Sequence, residues 1–184
     1  MVNLDISKKL EFYPVDSTHW DDLAKLFESP GGPHYCWCMV WRNMINGKSR
    51  RNKLHKKNSL KNFADNKIPI RIMGYADNES IAWCSIAPRE SYRDLGGEVN
   101  LPNVWSIVCF YINRSFRNMG LTNRLIEEAI NYAKSKGARY VEAYPVKQDS
   151  PSYRFMGFVP SFTKAGFEFR KQVGSRRNVM ILRL

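Results

Sequence analysis

The sequence predicts an α/β fold: a central mixed sheet with helices on both faces. Three observations predict it. The most apolar strand-like run, Val104 to Ile112, and the run Arg139 to Tyr144 flank the strongest helical pattern of the chain, with no hairpin between them. Strand, helix, strand implies a right-handed crossover and therefore a parallel pair. Ile70 to Ala76 and Ile81 to Ala87 are separated by the polar residues Asp77-Asn78-Glu79-Ser80, which suit a hairpin loop and an antiparallel pair. Finally, 184 residues with 43% hydrophobic content suffice to bury the core of one domain spanning 1–184.

Each element has a local signal. Leu10 to Val15 reads as an opening strand, and Asp16-Ser17-Thr18 offers N-cap residues to a helix whose Trp20, Leu23, Ala24 and Phe27 recur at helical spacing. Ser29-Pro30-Gly31-Gly32-Pro33 stops that helix. Tyr35 to Trp41 alternates aromatic or apolar groups with cysteines and suits either a strand or a tightly packed loop, ending at the turn signal Asn46-Gly47. Lys48 to Lys67 reads as a surface helix with Leu54, Leu60, Phe63 and Ala64 as its few apolar points. After the two hairpin strands and a charged loop, Pro88 to Pro102, comes the strand Val104 to Ile112. Leu121, Leu125, Ile126, Ala129, Ile130 and Ala133 then mark one buried helix face, with Gly137 placed to end it. Arg139 to Tyr144 is a strand, Pro160 to Ala165 a short helix, Phe167 to Gln172 a strand, and Asn178 to Leu184 the last strand.

Twenty-nine Lys and Arg against seventeen Asp and Glu give a net charge of +12, which draws anions without choosing among phosphates, nucleic acid and an anionic cofactor. No uncharged apolar run approaches the roughly 20 residues of a bilayer span, and Met-Val-Asn-Leu-Asp lacks the basic-then-apolar order of a signal peptide. The expectation is a cytoplasmic protein without a membrane partner. Cys36, Cys38, Cys84 and Cys109 lack framework spacing and read as free thiols in a reducing compartment. His34-x-Cys36-x-Cys38 holds soft ligands, but a structural zinc takes four in paired spacings and no second cluster exists, so no metal is expected. Tyr35, Trp37 and Trp41 beside it suit a pocket wall or plain packing. The basic run Lys48, Arg50, Arg51, Lys53, Lys56, Lys57, Lys61 fits RNA, a membrane surface or a cofactor phosphate, or simply a solvated helix face. Neither a stacking platform nor a nucleic-acid motif accompanies it, which argues against nucleic acid.

The informative stretch is Arg117-Asn118-Met119-Gly120-Leu121-Thr122, between the strongest strand and the strongest helix. A glycine at the mouth of a helix lets backbone N–H groups converge on an anion, and the helix dipole adds partial positive charge there. Arg114 and Arg117 place cations alongside. With the later words Gly137-Ala138-Arg139, Glu142-Ala143-Tyr144-Pro145 and Ala165-Gly166-Phe167, the order of elements resembles the GNAT N-acetyltransferase superfamily. Its acyl-CoA signature, Gln/Arg-x-x-Gly-x-Gly/Ala, is similar to Arg117-x-x-Gly120-x-Thr122, with Thr122 where Gly or Ala is usual. The resemblance covers roughly residues 10 to 184 by element order, with motif-level similarity confined to about residues 104 to 172.

The resemblance implies a GNAT-like fold that binds acetyl-CoA as co-substrate. The backbone of Ile107, Val108, Cys109, Phe110 and Tyr111 would bond the pantetheine arm as an extra strand, while Arg117, Asn118, Met119, Gly120, Leu121 and Thr122 hold the pyrophosphate. The wedge between the diverging parallel strands would admit the arm, with the acceptor amine entering from the opposite side.

Direct transfer then needs a neutral amine, a polarised thioester carbonyl and a proton for the departing thiolate. For the base, Glu142, Glu90 and Asp94 are the nearest carboxylates by element order, beside a water chain. Glu142 also suits a strand-end ion pair, and Glu90 and Asp94 also suit the plain role of flanking Arg89 and Arg93. For the acid, the family uses a tyrosine four residues before a Gly-Phe pair; counting back from Gly166-Phe167 puts Phe162 there, which has no proton to give. Tyr153 and Tyr144 are the remaining candidates, with Tyr153 preferred because its loop can adjust.

The expected function is acetyl transfer from acetyl-CoA to a primary amine of a small molecule or peptide. A non-catalytic CoA-binding or sensing module and a basic nucleic-acid-binding protein are the alternatives. The sequence leaves a homodimer open.

Overall fold

The computed structural model describes residues 9–43, 52–69 and 72–184. It has seven strands in one sheet: β1 (Leu10–Pro14), β2 (Ile72–Ala76), β3 (Glu79–Pro88), β4 (Val104–Ile112), β5 (Tyr140–Ala143), β6 (Glu168–Val173) and β7 (Arg177–Arg183). Their order is β1-β2-β3-β4-β5-β7-β6. Only β4 and β5 run parallel; every other neighbouring pair is antiparallel. Among the described residues four α-helices cover the sheet: α1 (Trp20–Glu28), α2 (Lys53–Asp65), α3 (Leu121–Ser135) and α4 (Val159–Lys164). The mixed sheet and its single parallel crossover are therefore as the periodicity predicts.

Local chemistry sets the boundaries. Asp77 and Asn78 adopt left-handed backbone, φ 49° and 65°, and form a two-residue hairpin loop whose hand matches the strand twist. Glu79 and Ser80, placed in the loop by their polarity, instead open β3, where Ser80 donates to the backbone oxygen of Asp22 at 3.0 Å. Helix α3 buries Leu121, Leu125, Ile126, Ala129 and Ala133. It stops at Gly137, φ 79°, where the Ala138 N–H bonds back to the Ala133 carbonyl at 3.1 Å. Residues 35–41 form turns, not a strand, because Trp37 and Cys38 both take left-handed backbone, φ 47° and 50°. The predicted turn at Asn46-Gly47 and the residues Lys48, Arg50 and Arg51 lie outside the described residues.

The core lies on the two faces of the sheet. On one, Leu23, Phe27, Trp37 and Leu60, from α1, α2 and the turns between them, pack with Trp83 of β3. The Phe27 and Trp83 rings meet edge to face at 4.7 Å. On the other, Leu125 and Ala129 of α3 and Phe162 of α4 pack over Ile81, Ile86, Ile107 and Met180.

Two irregularities leave the second half of β4 without a neighbour on one side. Its ladder to β3 shifts register, with Ser85 opposite Cys109 and Ile86 opposite Ile107, so Val108 is an extra, bulged residue. Its parallel ladder to β5 runs from Val104–Tyr140 to Ile107–Ala143 and ends there, while the β3 side continues to Ile112. Among the described residues, β3 is the only strand paired with β4 beyond Ile107.

Leu125→Ala should destabilise the fold by about 2–5 kcal/mol, because a fully buried leucine leaves both lost transfer energy and a cavity. Glu127→Ala, on the exposed face of the same helix, should shift stability by less than ~0.5 kcal/mol. Denaturant melts of both variants check the pair.

Candidate functional site

Where β4 and β5 part, a cavity of about 500 Å³ opens. Phe110, Tyr111 and Ile112 of β4 form one wall; Arg117, Asn118 and Thr122 close the end next to α3. Phe155, Gly157 and Phe158, on the connection after β5, face β4 across it, and Gly31 and Pro33 reach it from the turns after α1. The size is that of an ordinary small-molecule site, and the unpaired edge of β4 lends it backbone donors and acceptors. Gly157 sits at φ 86°, where a Cβ would come within 2.8 Å of the Phe162 ring and 3.2 Å of Phe110. Only glycine lets this connection pass so close to β4.

At the α3 end, Gly120 is the N-cap with φ 78°, and a Cβ there would point into open space. The N–H groups of Leu121 and Thr122 have no intrahelical acceptor, whereas those of Asn123 and Arg124 bond the Gly120 carbonyl, and no acidic residue stands in the first turn. Arg117 is tied down: its Nε donates to the Ile112 carbonyl at 3.0 Å, and the residue lines the cavity. Cation, helix terminus and strand edge thus line one continuous groove.

The predicted binding residues divide accordingly. Phe110, Tyr111, Arg117, Asn118 and Thr122 come together on the groove wall. Ile107 and Val108 are fully buried, and Cys109 and Leu121 nearly so, leaving them backbone at most to offer. Met119 and Gly120 form the turn into α3. Ile112, Gly31, Pro33, Phe155, Gly157 and Phe158 escape the sequence reading. The second Gly-Phe pair, Gly157-Phe158, is the one signal that points toward some of them, whereas nothing local marks Gly31 or Pro33.

Glu142 faces Ser106 across the parallel ladder and is completely buried. Arg89 holds it with two donors, Nε at 2.8 Å and Nη2, while Ser106 Oγ at 2.8 Å and the Tyr144 hydroxyl also donate to it. Another Arg89 nitrogen donates to the Glu98 carbonyl. A side chain at Gly97 would run into the same carboxylate. The network therefore anchors the β3–β4 connection to the sheet, and Glu142 forms the ion pair that its position at a strand end suggests. Burial, then the Glu142 charge, push the Tyr144 hydroxyl far above the ordinary tyrosine range. Glu90 and Asp94 are not buried, and Asp94 accepts from the Gly96 N–H at 2.7 Å.

Tyr153 lies outside the groove lining, although its neighbours Arg154 and Phe155 belong to it. Its ring is 6.0 Å from Trp41 and 6.3 Å from Phe155, with the Arg177 guanidinium 5.9 Å away and also 5.2 Å over Trp41. It takes left-handed backbone, φ 59°, at the start of a single 3-10 turn, Arg154–Met156. Phe162 is fully buried on α4 against Phe110 and Phe167.

Three of the four described lysines of the basic run have partners, and Lys53 is exposed. Lys57 pairs with Glu28 at 2.7 Å and lies over the Trp37 ring; Lys61 pairs with Asp65 and lies over Trp20; Lys56 donates to the Tyr35 carbonyl. These lysines fasten α2 to α1 and to the turns after it. Among the described residues no group of three or more His, Cys, Asp or Glu is arranged to hold a metal ion.

A sequence model of the acetyltransferase (GNAT) family matches residues 20–158. No curated protein matches the chain by sequence. Among solved structures, the PaiA N-acetyltransferase of Thermoplasma acidophilum in complex with coenzyme A is similar over 96% of this chain and 99% of its own, with 16% identity and a TM-score of 0.58. An uncharacterized protein of Bacillus halodurans matches 100% of this chain and 88% of its own, at 14% identity and a TM-score of 0.65. YncA of Salmonella typhimurium, with its cofactor acetyl-CoA, matches 95% and 93%, at 11% identity and a TM-score of 0.58. Likeness at these identities concerns the fold.

Glu142→Gln should lower stability by about 2–3 kcal/mol, toward the low end for a broken buried pair because Arg89 is 26% exposed and regains some hydration. A thermal melt checks this. An unchanged melting temperature would mean that the Glu142 charge does not anchor the β3–β4 connection.

Proposed function

The chain belongs to the acetyltransferase (GNAT) family, and from that premise we propose that it moves an acetyl group from acetyl-CoA to a primary amine of a small molecule or peptide by direct transfer. The observation that carries this reading is the one-sided bonding of β4 beyond Ile107, beside a cavity that ends at the N-terminus of α3. The pantetheine arm, a chain of amides, pairs with that edge as a strand would. The diphosphate takes the first-turn N–H groups of α3 and the Arg117 guanidinium. Thr122, on the groove wall, adds a hydroxyl donor where a smaller residue would leave only backbone.

The chain's own groups then have distinct tasks. Backbone N–H groups at the bulge of β4 polarise the thioester carbonyl as charge develops on its oxygen. The acceptor enters from the Trp41 and Tyr153 side and loses its proton to water. Tyr153 is the proton donor we assign to the thiolate, its hydroxyl carried on the connection whose next residues line the groove. Glu142 works at one remove: by holding Arg89 and Ser106 it fixes β4 and β5 where they separate.

Thiol release from acetyl-CoA, measured across a panel of amines, tests the reaction. Amine-dependent release is expected. Binding of acetyl-CoA with no release for any amine would favour a CoA-sensing module, and salt-dependent retention on RNA without CoA binding would favour the nucleic-acid alternative.

Arg117→Ala should weaken acetyl-CoA about tenfold or more, the worth of a charge-assisted hydrogen bond of about 1.5–3 kcal/mol. Gly120→Val should abolish binding and also cost about 1–2 kcal/mol for left-handed backbone in a β-branched residue. Thermal-shift titration with acetyl-CoA reads both, and parent-like responses would overturn the assignment. Tyr153→Phe should slow turnover without changing acetyl-CoA affinity; full turnover would return proton delivery to water.

A further inference from the structure

Two of the four cysteines meet sulfur to sulfur, and a third stands two residues away in the chain. Cys38 Sγ lies 3.1 Å from Cys109 Sγ, and the two residues are only 4% and 7% exposed. They are 71 residues apart in the chain, one in the turns after α1 and the other beside the bulge of β4. Cys36, two residues before Cys38 in the same turns, is the one cysteine of the four that is not buried, and its thiol donates to the Pro33 carbonyl at 3.6 Å. The three residues therefore run inward from the partly exposed Cys36 to the buried pair Cys38 and Cys109. Acyl transfer uses none of them, since Cys109 offers the groove backbone alone.

We propose that Cys36, Cys38 and Cys109 form a thiol relay that accepts oxidation from a hydroperoxide at the surface and stores it as a Cys38–Cys109 disulfide. The gradient along these residues suits the chemistry. The neighbouring Cys38 thiol, helped by the Lys56 ammonium and opposed by burial, brings the Cys36 thiol down to about 6, which favours the nucleophilic thiolate over the thiol that donates to the Pro33 carbonyl. Burial raises Cys38 well above the ordinary thiol range, so its proton stays on until the sulfur attacks and the departing water takes it.

In the first step the Cys36 thiolate attacks a peroxide oxygen: an S–O bond forms, the O–O bond breaks and hydroxide leaves, with sulfur oxidised by two electrons to the sulfenic acid. Cys38 sulfur then attacks Cys36 sulfur; the S–S bond forms, the S–O bond breaks, and water departs with the Cys38 proton. In the third step Cys109 sulfur attacks Cys38 sulfur and expels Cys36 as thiolate, the Cys109 proton passing to water. The low-pKa thiol is the better leaving group, so the exchange comes to rest on the buried pair. The product ties the turns carrying Gly31 and Pro33 to the strand carrying Phe110 and Tyr111, the walls of the groove. Any effect on turnover rests on the acetyl-CoA reading, whereas the sulfur chemistry does not.

The test therefore reads sulfur and not activity. The full chain, fully reduced, is treated with hydrogen peroxide, quenched with an alkylating reagent and mapped by mass spectrometry. A Cys38–Cys109 linked peptide should appear with Cys84 alkylated. Cys36→Ser should slow its formation about tenfold or more, by removing the reactive thiolate. Cys38→Ser should instead accumulate a Cys36 sulfenic acid that a cyclic 1,3-dione traps. Absence of the link in the parent protein, its formation at an unchanged rate in Cys36→Ser, or a link through Cys84 or between molecules would each overturn the relay.

Discussion

The early parting of β4 and β5 is the constraint on which the rest of the molecule depends. A parallel pair in the middle of a sheet ordinarily continues for the length of both strands, because each lost rung leaves a donor and an acceptor to satisfy. Here the ladder stops at Ile107–Ala143, five residues before β4 ends. The bulge at Val108 turns β4 away, and Pro145, with no N–H to contribute, stands just past the end of β5. The connection after β5 finds other partners: Val146 pairs with Phe158, and Asn178 of β7 donates its backbone and side-chain N–H groups to the Pro145 carbonyl. The result is a strand edge without a neighbour, bordered by a helix terminus and an arginine.

Other features maintain that gap. The Glu142 network lies within the last paired rungs and ties the β3–β4 connection to them through Arg89, so the strands stay together up to the point where they diverge. Gly157 lets the opposite wall approach to contact distance of Phe110. On the other face of the sheet, the aromatic packing of Phe27, Trp37 and Trp83, with Lys57 of α2 laid over it, supports β3 and the turns that carry Gly31 and Pro33.

Much of this is legible in the sequence, and the parts that are not share a cause. Strand β4 has the predicted bounds, and α3 has the predicted buried face and stop, because periodicity and a C-terminal glycine are local signals. The groove residues Arg117, Asn118 and Thr122 are legible for the same reason: they lie in or just past the short turn between those two elements. The opposite wall is not, since Gly31, Pro33 and Phe155 reach the groove through tertiary packing that no spacing reports. The meeting of Cys38 with Cys109 is equally non-local. Tyr35 to Trp41 reads ambiguously as strand or loop because its alternation is that of a strand, while left-handed backbone at Trp37 and Cys38 makes it turns. Glu142 suits a base or an ion pair on sequence grounds, and only the approach of Arg89, 53 residues away, shows which partner it has.

Hydrogen–deuterium exchange with and without acetyl-CoA tests the assignment of that free edge most directly. Slowed exchange confined to the amides of β4 beyond Ile107 and to the first turn of α3 is the expected result, with the amides of Val104 to Ile107, already paired to β5, unchanged. Binding that leaves both segments at their original rates, or that protects a different surface, would contradict it.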